Sequence, residues 1–369
     1  MNPLTGPDFG SYAAEDVRWL LTDLSDEPLE APTEERERAI QHGEAHYAES
    51  LPIEYQPDAT YRALFAEVLA QTAGRLATAV GVVTELVLAE RGTHVVLVSL
   101  ARAGTPIGIL MRRWALRKYG VDLPHYAVSI VRDRGIDFAA LDYLAANHNP
   151  ERIVFVDGWT GKGSIAKELG QALVEYERVT GIWFNPDLAV LADPGVCVRT
   201  FGTRDDFLIA SACLNSTVSG LVSRTVLNAR HIAPGQFHGA KFYRELADDD
   251  QSATFLSAVT EQFDGVEMAV KDELAAVAAA DRTPTWAGLA TVERIKQQYG
   301  IASVNFVKPG IGETTRVVLR RVPWLIVLRD MASPEHRHIR LLAAARNVAV
   351  VEDPSLTYAC VGLIKDITE

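Results

Sequence analysis

The stretch Ile153-Val154-Phe155-Val156-Asp157-Gly158-Trp159-Thr160-Gly161-Lys162-Gly163-Ser164 decides the fold. Its first four residues are an apolar run of strand length, and a helical pattern over residues 165–179 starts directly after the loop. In a strand–loop–helix of this kind, backbone N–H groups and the helix dipole converge on one point, which suits an anion. Gly161 and Gly163 let the backbone approach it, Thr160 and Ser164 add hydroxyl donors, and Lys162 adds charge. Asp157 at the strand end is placed to hold a ribose hydroxyl or a hydrated Mg2+. A Walker A loop is excluded, because GxxxxGK[ST] is absent. The plain alternative is a glycine-rich connection without a ligand.

Outward from this loop, apolar periodicity predicts a long helix over residues 61–90, strands at 95–100, 126–131 and 188–192, and helices at 107–119 and 138–147. Short all-apolar strands alternating with helices make a parallel sheet covered on both faces, so the class is α/β. Residues 1–60, rich in charge and proline, read as an N-terminal extension packed on a sheet domain at 61–245. Within it, residues 200–243 mix Gly, Ser, Thr, Asn, His and Cys with weak periodicity and read as site-lining. Residues 246–284 read as a helical linker, and 285–369 as a smaller α/β/α domain. That domain has expected strands at 304–307, 324–328 and 348–351, helices ending near 321 and at 337–345, and a last helix through Tyr358 and Gly362.

A chain of 369 residues with 48% hydrophobic content suits two folded units. Its net charge of −12 argues against a protein that coats polyanions and leaves room only for local basic sites. Cys197, Cys213 and Cys360 form neither a CxxC pair nor a disulfide framework, which fits a reducing compartment. With no leader pattern and no apolar run of ~18 residues, the expected location is the cytoplasm, without a membrane partner.

The loop at 157–164 resembles the motif with which type I phosphoribosyltransferases bind phosphoribosyl pyrophosphate (PRPP), with Gly158 at the second of two usually acidic positions. The resemblance implies a phosphoribosyltransferase that binds PRPP with Mg2+ and transfers the ribosyl group to an unidentified acceptor. Asp157 would meet the ribose and the metal, and Thr160, Gly161, Lys162, Gly163 and Ser164 the phosphate. It implies further that Ala101-Arg102-Ala103-Gly104-Thr105-Pro106 is the pyrophosphate loop, with Arg102, Ala103 and Gly104 at the leaving group. An ordinary turn with Thr105 as N-cap is the alternative. Arg132 and Arg134 stand where the family closes a mobile loop over the pyrophosphate, or else form a solvated turn. Arg204, Asp206, Asn215 and Ser216 suit an acceptor's polar edge, or an N-cap cluster. Asp193, before Pro-Gly, reads as a turn former or an acceptor contact.

A wider resemblance spans nearly the whole chain. Phe9-Gly10-Ser11-Tyr12, His46-Tyr47, Leu51-Pro52-Ile53-Glu54-Tyr55, Gly202-Thr203-Arg204-Asp205-Asp206-Phe207, Ser211-Ala212-Cys213-Leu214-Asn215-Ser216-Thr217-Val218-Ser219-Gly220 and Phe237-His238-Gly239-Ala240-Lys241 are similar to the bacterial StiP family. Its members are described as cysteine proteases, join a phosphoribosyltransferase-like domain to a C-terminal Pelota-type RNA-binding domain, and resemble proteins of tellurite-resistance and stress gene clusters. This implies, as the alternative to transfer, a protease with Cys213 as nucleophile and His42, His46, His231 or His238 as base. A further alternative is an RNA-binding regulator on a non-catalytic PRPP-binding fold. Residues 308–316 resemble the loop of Pelota and ribosomal-protein kink-turn binders, with Gly312 where the family has Asn. The resemblance implies that structured RNA meets Lys308, Gly310, Glu313, Thr315, Arg316 and Arg320, with Arg321 adding charge. A purely structural domain is the alternative there, and a homodimer is allowed.

Overall fold

A parallel strand covered on both faces must be apolar at almost every position. The computed structural model describes residues 1–32, 46–54, 56, 58–320 and 322–364, with the side chains of 60, 61, 319, 320 and 334 outside that description. Its main sheet has six parallel strands, the inner four of this kind: β1 (Arg18–Leu20), β2 (Val96–Ala101), β3 (His125–Val131), β4 (Ile153–Trp159), β5 (Leu188–Ala192) and β6 (Thr200–Thr203). They run parallel in the order β1-β3-β2-β4-β5-β6. The helices are α1 (Ala59–Arg91), α2 (Thr105–Tyr119), α3 (Phe138–Asn147), α4 (Ser164–Thr180), α5 (Ser252–Thr260) and α6 (Glu267–Ala279).

Successive strand residues point to opposite faces. Leu97, Val154, Val156 and Leu191 join Val80 of α1, Leu110 of α2, Phe255 of α5 and Val270 of α6 in one buried cluster. Val98, Val128, Phe155 and Val190 join α3 and α4 through Leu141, Leu144, Leu169 and Tyr176 in another. The N-terminal stretch, expected to pack on this core, also adds an edge strand to it, with Trp19 and Leu20 buried. The segment expected as a linker lays α5 and α6 along α1, because Phe255, Leu256, Val259 and Phe263 are buried there. By composition α1 is apolar enough to cross a membrane, but 67% of its most apolar stretch is buried in this core.

The C-terminal domain comprises α7 (Ala287–Gln298), β7 (Val307–Pro309), α8 (Ile311–Arg320), β8 (Pro323–Leu328), α9 (Arg337–Ala345), β9 (Ala349–Glu352) and β10 (Cys360–Ile364). Strand order is β7-β10-β8-β9, with β10 antiparallel to both neighbours and β8 parallel to β9. Two expectations are corrected. Residues 304–306 form a 3-10 turn before β7. The last helix is a strand, because the apolar run at 360–364 fills the slot between β7 and β8, where Gly362 passes close to α8: a Cβ on it would stand 3.3 Å from Thr314 Cα. On one face Val292 and Ile295 of α7 pack with Val307, Val327 and Val361. On the other, Ile311, Val318, Ile326 and Ile339 belong to the same buried cluster as α1 and Ile209, so the two domains share one apolar core.

Candidate functional site at the domain junction

In a parallel sheet, ligand sites form beyond the carboxyl ends of the strands. Here β2 and β4 both end at a cavity of about 510 Å3, lined by residues including Ala101, Arg102, Asp157, Ser211, Asn215, Arg224 and, from the C-terminal domain, Arg316. A neighbouring cavity of about 220 Å3 shares Asp157, Ser211 and Arg316 and adds Gly312 and Glu313. The Ala101–Arg102 peptide is cis.

Asp157 is 8% exposed, its Oδ1 accepts the Gly158 N–H at 2.7 Å, and burial pushes its carboxyl up to about 7. Glycine at 158 has a packing reason: a Cβ there would stand 3.0 Å from the Ala103 carbonyl oxygen. Mg2+ needs a shell of oxygen donors, usually with more than one charged ligand or substrate phosphates. The acids lining these two cavities are Asp157 and Glu313, and Glu313 pairs with Arg316 at 3.3 Å. Among the described residues no group of three or more His, Cys, Asp or Glu is arranged to hold a metal ion. The donor set therefore does not fit Mg2+.

The loop after β4 turns its polar groups toward protein. Thr160 donates to Asp193, a fully buried carboxylate that also accepts the Cys197 and Val198 N–H groups and pairs with Arg204. Asp193 is thus a hub beneath the loop, and Arg204, stacked 3.8 Å from the Phe201 ring centroid, serves that hub. The Gly161 carbonyl accepts from Tyr358 Oη at 3.1 Å and from the Cys197 thiol at 3.4 Å. Lys162 Nζ donates to the Val304 and Val307 carbonyls at 2.9 and 3.3 Å, and burial lowers its pKa to about 8, with Lys308 and Arg132 adding to the effect. The expected anion-facing cation is spent on the C-terminal domain. Gly163 has φ 75, open to glycine at little cost, and a Cβ there would meet Trp286 Cζ3 at 2.3 Å.

Arg102 donates to the Val222 carbonyl at 3.0 Å and pairs with Glu54 at 3.5 Å, and Glu54 accepts the Ser216 N–H at 2.9 Å. Arg224 crosses to the Tyr47 and Ser50 carbonyls, and Tyr47 Oη accepts the Arg132 N–H at 2.6 Å. Residues 46–54 therefore brace Arg102, Arg132 and Arg224, which line the cavities. Glu54 and Tyr47 were not foreseen as site residues, and their one signal was the stretches containing them quoted above; Arg224 falls within the 200–243 segment read as site-lining. Arg132 lines a third cavity of about 190 Å3 with Lys162 and Lys308. Arg134 is exposed in a turn that Glu168 holds from α4 through the Asp133 and Gly135 N–H groups. Asn215 lines the 510 Å3 cavity. The Ser216 Oγ is buried without a hydrogen-bond partner among the described residues.

Cys213 closes a 3-10 turn, Ala210–Cys213, and is 1% exposed. Ser211 and Ala212 before it and Leu214 and Asn215 after it line the cavities. Burial pushes the Cys197 thiol up to about 12, with Asp193 adding to the effect. Burial also pushes up the Cys360 thiol on β10. Both are held protonated, unlike a nucleophilic thiol. His231 pairs with Glu27, His238 Nδ1 meets Ser129 Oγ at 2.8 Å, and His46 Nδ1 accepts the Ala48 N–H; His42 lies outside the described residues.

In the C-terminal domain Asp206 is the unforeseen partner. Its buried carboxylate accepts the Ile311 N–H at 3.1 and 3.2 Å and the Ala359 N–H at 2.8 Å, so it meets a helix start instead of a small-molecule acceptor. Burial pushes it up to about 6. Gly310 (φ 84) packs on Trp159, where a Cβ would approach to 2.4 Å. Thr315 is fully buried, and its hydroxyl donates to the Ile311 carbonyl at 2.7 Å, which removes it from any RNA face. Arg316 Nε donates to the Ala212 carbonyl at 3.2 Å. The Arg320 side chain and Arg321 lie outside the described residues.

Residues 10–260 match the family model described as "Tellurite-like stress resistance cysteine protease StiP", and residues 286–366 match that of the PELOTA RNA binding domain. A protein of Acinetobacter baylyi named "Cysteine protease StiP" is 37% identical over 372 residues, covering 97% of this chain and 94% of that protein. These descriptions overturn the ribosyl transfer expected from the two loops: the similar proteins are named as proteases, and neither description mentions a transferase, PRPP or magnesium.

Proposed function

We propose, for a chain that belongs to the StiP family, a thiol-dependent peptidase with Cys213 as nucleophile, on a sheet of the type I phosphoribosyltransferase kind. The observation that carries this is the placement of Cys213 in a segment that walls the junction cavity on both sides of it. Cys197 and Cys360, by contrast, lie outside the lining of these two cavities. The thiolate adds to the substrate carbonyl carbon, the amine leaves with a proton, and water then releases the acyl group from sulfur. Because the resting thiol is covered, the segment at 210–219 moves before attack. The fold assignment is supported by the parallel sheet and by the two loops that start α2 and α4 at the cavity.

The C-terminal domain, in this reading, contacts structured RNA around the start of α8 through Lys308 and Arg316, with modest, salt-dependent affinity because few phosphates are neutralised there. Proteolysis is tested on denatured protein substrates. Cys213→Ala lowers cleavage by about a thousandfold or more, and Cys197→Ala leaves it within a few-fold of wild type. Cleavage that survives Cys213→Ala removes the assignment.

A further inference from the structure

A helix start offers unpaired N–H groups and the positive end of the helix dipole, a ready seat for phosphate. At α8 the seat is already taken from within the chain, by the Asp206 carboxylate on the Ile311 N–H, with the Ala359 N–H joining it. The contact continues on both sides. Tyr358 reaches Gly161, Lys162 reaches Val304 and Val307, and Arg316 reaches Ala212, the residue before Cys213. The polar edge of residues 308–316 therefore faces the first domain, and its cation is tied to the segment that carries the buried thiol.

We infer that Asp206 is a built-in competitor for an RNA phosphate, so that RNA engagement and domain docking exclude each other and RNA uncovers Cys213. With Asp206 seated, the cleft is closed and the Arg316 tether holds Ala212 in place. With a phosphodiester seated, the tether and the Tyr358 contact part and the segment at 210–219 is released. The inference rests on the readings given above for Cys213 and for residues 308–316. Docking lowers the apparent RNA affinity by the fraction of molecules that are open.

Full-length protein suffices for the test. Asp206→Ala empties the seat, and Tyr358→Phe loosens docking through Gly161 while leaving the carboxylate in place. Binding of labelled kinked and fully paired RNAs is followed by anisotropy at about 50 and 200 mM salt. Alkylation is followed residue by residue by mass spectrometry, with and without RNA. Affinity should rise about tenfold in Asp206→Ala and by less in Tyr358→Phe, and Cys213 alkylation in wild type should accelerate about tenfold or more with RNA. RNA bound equally by wild type and both variants, or alkylation indifferent to bound RNA, overturns the competition and leaves RNA binding standing. No binding by any form at the lower salt overturns the RNA reading, and the competition with it. Alkylation needs no proteolysis, so a failed cleavage assay does not disturb this result. If Asp206→Ala fails to fold, Tyr358→Phe and the wild-type alkylation decide.

Discussion

A carboxyl buried mainly among backbone and apolar groups resists ionisation, and Asp157 is such a group, with burial moving it from 3.8 to about 7. The sign follows from linkage. The folded chain binds the proton more tightly than the unfolded chain, so the contribution to stability is complete below about pH 3.8 and is lost as pH rises through about 7. Asp157→Asn keeps an acceptor for Gly158 and cannot ionise. It should be more stable than wild type at pH 8 by about 4 kcal/mol, with the difference closing toward pH 4, as read by urea unfolding at both values. The strand leading into Asp157 was legible from the apolar run before it, although β4 runs on through Asp157 to Trp159. The engagement of Lys162 was not, because the carbonyls it meets lie 142 and 145 residues away in the chain. No local pattern reports such a partner.

Elements followed the apolar pattern where helices were long and strands alternated with them. A run of five apolar residues carries no period that separates a buried strand from a helix turn, which is why 360–364 was misread. Caps explain other boundaries. Asp137 accepts the Ala139 and Ala140 N–H groups at the start of α3, and its second oxygen takes the His238 N–H at 2.6 Å, tying residues 237–240 to the sheet. Asp137→Ala removes a cap and strands a buried donor, so a loss of roughly 2–3 kcal/mol is expected, measured as a shift of the urea midpoint at constant slope.

At the scale of the molecule, length and composition pointed to two units but could not show that they share a core, since that depends on which faces meet. Ile311, Val318, Ile326 and Ile339 bury against the side of the first domain that carries α1 and Ile209. Two domains joined in this way should melt together. Scanning calorimetry of the full chain is expected to give a single transition, with calorimetric and van't Hoff enthalpies equal; two resolved transitions would mean the junction contributes little.

The place of β10 also bears on biosynthesis. Residues 360–364 are translated after β7, α8, β8, α9 and β9, yet the finished sheet has them in the middle. On the ribosome, β7 and β8 emerge with a gap between them, and the Ala359 N–H that completes the grip on Asp206 is missing until late. A nascent chain stalled before residue 359 would present an unfinished sheet and an Asp206 held by the Ile311 N–H alone, whereas one elongated past β10 can complete both.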